Sequence, residues 1–148
     1  MKDLKGFSIH LKRYIKRGFK MINKYFSYKE FDCKCGKCKR PKDVPSKELI
    51  KILTEIREHF GKPLIINSGY RCPSHNERVG GSPFSQHTRG SAVDFTIKGV
   101  KTLDVWDYVL STYGKRPLGL AVKRNKDDAF RGFVHIDTRG KIARWEYA

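Results

Sequence analysis

Two short stretches of this chain concentrate side chains able to do chemistry: Ser85-Gln86-His87-Thr88-Arg89-Gly90-Ser91-Ala92-Val93-Asp94, and Gly132-Phe133-Val134-His135-Ile136-Asp137 near the C-terminus. Imidazole and carboxylate are both good zinc ligands, and a catalytic zinc site takes three protein ligands and leaves a fourth position for water. His87, Asp94 and His135 meet that requirement. Zn2+ held in this way lowers the pKa of a bound water from 15.7 toward about 7 and polarises a carbonyl as a Lewis acid. Gly90 lets the backbone turn between the first two ligands, and small Ala92 permits close packing. Strand alternation then puts Asp94 on the face opposite Val93 and Phe95.

The cysteines form a second group. Cys33, Cys35 and Cys38 lie within six residues, and Cys72, the fourth and last, follows 34 residues after Cys38. Four thiolates would close a structural zinc tetrahedron. Two disulfides or four reduced thiols are the alternatives. Residues 1–24 contain no uncharged apolar run and no small-residue cleavage site of a secretory signal. That pattern points to synthesis in the cytoplasm, a reducing compartment, which weighs against disulfides. Cys72 adjoins Tyr70-Arg71, so a closed cluster would staple that segment.

These groups need a scaffold. Ser46 is suited to cap a helix in which Leu49, Ile50, Leu53, Ile56 and Phe60 repeat at core-facing spacing until Gly61 and Pro63 stop it. Leu64 to Ser68 reads as a buried strand, Ala92 to Ile97 as a second, Thr102 to Tyr113 as a helix, Leu118 to Val122 as a third strand, and Gly132 to Thr138 as a fourth. Residues 72–90, rich in Gly, Ser, Pro and Asn, read as a long loop, and such loops are usually functional. Ser27 and Glu30 form a capping-box pattern before about one helical turn. Strands and helices mix without regular alternation, which predicts an α+β domain. In residues 1–24, Phe7, Leu11, Tyr14, Ile15, Phe19 and Ile22 fall near one face and lysines and arginines on the other, the pattern of a basic amphipathic helix.

The stretch from Ser85 to Asp94 resembles, at every defined position, the Ser-x-His-x-x-Gly-x-Ala-x-Asp signature of the M15 peptidases, the group of zinc D-alanyl-D-alanine carboxypeptidases and peptidoglycan endopeptidases. Ser68-Gly69-Tyr70-Arg71-Cys72-Pro73 with His75-Asn76 is similar to that family's substrate-side segment, and Phe133 to Asp137 to its last ligand motif. The resemblance places the domain over residues 25–148 and is closest to the short phage-type and murein-endopeptidase-like branch. It implies a catalytic zinc on His87, Asp94 and His135, a single α+β domain whose central antiparallel sheet floors the metal with helices packed on it, and peptidoglycan peptide stems as substrate. Many members carry Asp or Glu three positions before the last ligand, where this chain has Gly132. Asp137 is the best substitute, because residues 135 and 137 share a strand face; it would serve as base or orient His135 from behind. Asp127 and Asp128 are weaker alternatives. The same pattern puts Tyr70 and Arg71 at the substrate mouth, where a guanidinium suits a carboxylate or a developing oxyanion. Ser85 and Gln86 would donate hydrogen bonds to the oxyanion or to His87.

Composition limits the partners. The 148 residues suit one domain, and 39% are hydrophobic, enough for one core. Lys and Arg number 32 against 15 Asp and Glu, a formal charge of +17, which attracts polyanions: an anionic cell wall, a membrane surface contacted through the basic N-terminus, or nucleic acid. Aromatic and basic residues form no stacking pattern, so nucleic acid is the least favoured. The expectation is a monomeric lytic enzyme of phage or prophage type, acting at the wall after release or within a virion. A relative that has lost catalysis and only binds the wall is the alternative.

Overall fold

The computed structural model describes residues 5–6 and 9–148. Helix α2, Lys47–Phe60, begins where Ser46 Oγ accepts the Leu49 N–H at 3.2 Å and ends at Gly61, whose φ of 62° turns the chain out of the helix. Leu49, Ile52, Leu53 and Ile56 are its fully buried stripe; Ile50 and Phe60 only flank the core. Helix α4, Thr102–Tyr113, buries Val105, Val109 and Tyr113.

Both helices cover one face of a five-stranded sheet composed of β1 (Leu64–Ser68), β2 (Ala92–Ile97), β3 (Gly119–Arg124), β4 (Gly132–Asp137) and β5 (Ala143–Glu146), in the order β1-β2-β4-β3-β5. Val93, Phe95, Leu120, Val122, Val134 and Ile136 point into that helix-covered core. Each such side chain contributes about 1.5–3 kcal/mol relative to exposure. The molecule is therefore a single α+β domain.

The sheet is mixed rather than antiparallel. β5 was not foreseen, and it pairs in parallel with β3. The chain reverses after β4, so β5 runs against β4; since β4 is already flanked by β2 and β3, β5 adds at the open edge of β3 and lies parallel to it.

Two further expectations change. The segment 72–90 is no continuous loop, because Pro73 at the first helical position starts helix α3, Pro73–Arg78, with Asn76 buried. Among the described residues, the amphipathic helix expected over residues 1–24 covers Ile9–Lys16 (α1), with Leu11 buried, and does not run on toward residue 24. Gly18, at φ 77°, stops it, and the Phe19 N–H closes back on Tyr14 O at 3.1 Å. Phe7 lies outside the described residues. Ser27 and Glu30 do form their pair: the Glu30 carboxylate accepts from Ser27 N at 2.6 Å and from its Oγ at 3.1 Å, before a 3₁₀ turn over Tyr28–Phe31. Among the described residues, no helix is long and apolar enough to cross a membrane.

Candidate active site

The sheet face opposite the helices carries a row of residues that crosses every strand. Ser68 is in register with Asp94, Asp94 with His135, His135 with Ala121, and Ala121 with Trp145. Two ligand candidates thus stand side by side on neighbouring central strands, and the loop before β2 brings in the third. His87 Nε2 lies 3.3 Å from Asp94 Oδ1, and His135 Nδ1 lies 2.8 Å from the same oxygen. All three residues are buried, and their ligand atoms lie within 4.8 Å of one another.

The outward nitrogen of each imidazole is already held. His87 Nδ1 donates to the Gly69 carbonyl at 2.8 Å, and His135 Nε2 donates to Asp137 Oδ2 at 2.8 Å. Each bond fixes the ring so that, once the imidazole is neutral, the lone pair falls on the nitrogen next to Asp94, the form a metal would need; without a metal those nitrogens donate to Asp94. This donor set fits a zinc ion: two oriented imidazoles and a carboxylate converge from one buried floor, with an open cleft above.

Burial pushes the Asp94 carboxyl up, but hydrogen bonds from His135 and His87 outweigh it and hold the group at about 2. Burial pushes His135 down, yet Asp137 and Asp94 together raise it above its ordinary value. Burial likewise opposes ionisation of Asp137, while Arg139 and His135 keep its carboxyl well below the usual carboxylate range.

A model of the peptidase M15 family matches residues 24–137. The chain belongs to the peptidase M15 family. No curated protein matches it. M15 peptidases are zinc-dependent, in agreement with the donor set described above.

In this M15 domain the triad floors a cleft of about 780 Å³. Arg71 lines it, and the Arg71 Nε is buried with no hydrogen-bond partner among the described residues. Its neighbour Tyr70 is not on the cleft wall. The Tyr70 ring sits instead by the four thiols, and burial together with those thiols raises its hydroxyl pKa. Ser85 and Gln86 both line the cleft but are tied into the ligand loop: Ser85 Oγ accepts from His87 N at 3.2 Å, and Gln86 Oε1 accepts from Ser91 Oγ at 2.8 Å. Neither hydrogen bond reaches the His87 ring.

Position 132 has no room for the family's usual acid. Gly132 holds φ 109°, a Cβ there would meet Lys123 O at 2.1 Å, and alternation turns residue 132 to the face of Val134 and Ile136, away from the ligands. Asp137 is buried, and its carboxylate lies behind His135, on the nitrogen remote from Asp94, where Arg139 also grips it through Nε at 2.8 Å and Nη2 at 2.6 Å. There the carboxylate orients the His135 ring, with its oxygens turned from the cleft. Asp127 and Asp128 lie in the β3–β4 connection and do not reach the site; Asp128 pairs with Arg131 at 3.5 Å.

Three contributors escaped sequence reasoning. Trp145 and Tyr147, on and just after β5, line the cleft, with ring centroids 5.1 and 6.3 Å from that of His135. Their signal was the two-residue alternation in Arg144-Trp145-Glu146-Tyr147. Arg139 bridges the site to β5, its guanidinium 4.9 Å from the Trp145 ring.

Proposed function

We propose that this protein hydrolyses peptide bonds of bacterial peptidoglycan, as a carboxypeptidase or endopeptidase of the phage or prophage lytic type, with zinc on His87, Asp94 and His135. The observation that carries the reading is the convergence of that oriented triad at the floor of a cleft in which Arg71 offers a buried guanidinium nitrogen with no partner among the described residues. The zinc, when bound, supplies Lewis-acid polarisation of the scissile carbonyl and activation of water.

The chain's own residues do the rest. Gly69 and Asp137 hold the two imidazoles in the ligating tautomer, and Arg139 fixes Asp137. Arg71 binds a carboxylate of the peptide stem or the developing oxyanion. Phe84, Phe133, Trp145 and Tyr147 supply apolar walls for the stem's methyl groups. Asp94 is the only carboxylate lining the cleft among the described residues, so proton transfer falls to another group. Among the described residues, His75, on α3, is the one imidazole there outside the triad, and imidazole is the commonest general base. The formal charge of +17 favours retention on an anionic wall.

That same shortage of a cleft carboxylate favours a second reading, a wall-binding relative without catalysis. Digestion of purified peptidoglycan by the zinc-loaded protein separates the two. The peptidase reading expects new free amino groups, fragments identifiable by mass spectrometry, and loss of both in His87→Ala. If the zinc-loaded parent releases none while still cosedimenting with the wall, the binding reading replaces it.

A further inference from the structure

Apart from the catalytic triad, four sulfurs meet. Cys33 Sγ lies 3.8 Å from Cys72 Sγ, Cys35 Sγ 3.5 Å from Cys38 Sγ, and Cys72 Sγ 3.9 Å from Cys35 Sγ, with all four within 4.8 Å of one another. A disulfide requires sulfurs about 2.05 Å apart, so these thiols are unbridged. Four sulfurs placed about 2.3 Å from one zinc ion stand about 3.8 Å apart along the edges of the tetrahedron. The observed spacings are those of a thiolate cage.

Backbone geometry around the sulfurs is that of a ligand loop. Gly36, at φ 69°, folds Cys35 to Cys38 so that Lys37 N and Cys38 N donate to Cys35 Sγ at 3.3 and 3.4 Å. Cys72 N donates to Cys33 Sγ at 3.4 Å. Amide dipoles aimed at sulfur favour the thiolate, the form that binds metal. Four thiolates around one Zn2+ leave two negative charges, and Lys34, Lys37 and Lys39 stand in or beside the loop in sequence to offset them.

We propose that Cys33, Cys35, Cys38 and Cys72 hold a structural zinc ion that clamps the Cys33–Cys38 loop onto the segment carrying Gly69 and Arg71. Cys72 is joined to that segment directly, and two bonds lead on to the catalytic floor: the Gly69 carbonyl holds His87 Nδ1, and Arg71 N donates to His87 O at 3.1 Å. Tyr70 N donates to Phe31 O at 3.0 Å, two residues before Cys33, which closes the clamp from the other side. The positioning consequence rests on the peptidase reading above; the metal site itself does not.

The full chain, purified with zinc, is expected to carry about two zinc ions, with His87→Ala and Cys38→Ser each keeping about one. After exchange with cobalt, the parent and His87→Ala are expected to show intense sulfur-to-cobalt charge-transfer absorption, absent in Cys38→Ser. If Cys38→Ser does not fold, His87→Ala alone decides: one metal ion with sulfur charge transfer supports the proposal. A parent that binds a single zinc, lost in His87→Ala, overturns it, as does alkylation of all four thiols in the native protein without metal release. Two zinc ions with sulfur charge transfer but no peptidoglycan cleavage would uphold this site and sink the peptidase reading.

Discussion

Gly119 and Asp137 face each other across β3 and β4, and a Cβ at position 119 would stand 2.2 Å from Asp137 Oδ2. The missing side chain on one strand is thus the room in which the carboxylate on the other reaches behind His135. Gly119→Ala is expected to push that carboxylate aside, with a cost of about 1–3 kcal/mol from overpacking. Urea denaturation of the metal-free protein measures it; an unchanged midpoint would show that the neighbouring strands yield freely.

Asp137→Asn keeps the shape but removes the charge that anchors both His135 and Arg139. Loss of such a partner behind a ligating histidine typically weakens metal affinity by about 10–100-fold. Competition with a chromophoric chelator reads this out, and an affinity equal to the parent's would deny Asp137 its orienting role.

Zinc-dependent stabilisation is expected to grow as pH rises. In the metal-free protein the raised His135 pKa contributes stability that is fully present below its unfolded value and lost as pH climbs through the folded one. Asp94, held at about 2, contributes stability present above the ordinary carboxylate value and lost only as pH falls toward 2. Zinc needs neutral imidazole and displaces that proton, so its advantage increases where the metal-free protein weakens. Thermal scans with and without chelator across pH 5–9 should show a widening gap in Tm, and a narrowing gap would contradict the coupling.

Gly132→Glu, which restores the residue type many relatives carry, is expected to destabilise by about 1–3 kcal/mol and to leave catalysis no faster, because the position requires positive φ and faces the core. Faster peptidoglycan hydrolysis by this variant would disprove that orientation.

Arg71→Ala and His75→Ala are expected to divide the work of the cleft. The first removes a charged hydrogen bond of about 1.5–3 kcal/mol, a loss of about 10–100-fold in kcat/KM, with little change in stability because its Nε has no partner among the described residues. The second lowers kcat by about 10²–10⁴-fold if His75 moves the proton. Steady-state kinetics on a synthetic stem peptide separates them, and a fully active His75→Ala removes His75 from the mechanism.

Much of this arrangement could be read in advance. The apolar period and the Ser46 and Gly61 caps mark α2, β-branched runs mark β1 and β2, and the resemblance of Ser85 to Asp94 and of Phe133 to Asp137 to M15 motifs picks out His87, Asp94 and His135, whose donor atoms meet in the structure. Helix α3 stayed hidden because Pro73-Ser74-His75-Asn76-Glu77-Arg78 has no apolar period and buries only Asn76. β5 stayed hidden because a short edge strand carrying Arg144 and Glu146 has only half-buried or exposed side chains. The roles of Gly119, Arg139 and Trp145 depend on which strands become neighbours, and that order is a long-range property no local window contains.

The cross-sheet row from Ser68 to Trp145 also bears on how the chain finds its fold. A slip of one residue between β2 and β4 would send Asp94 or His135 into the apolar layer and leave no pair of donors side by side. Only the native alignment presents a metal with two adjacent ligands, so an ion captured during folding would act as a proofreader, rewarding the correct strand pairing and none of its near misses.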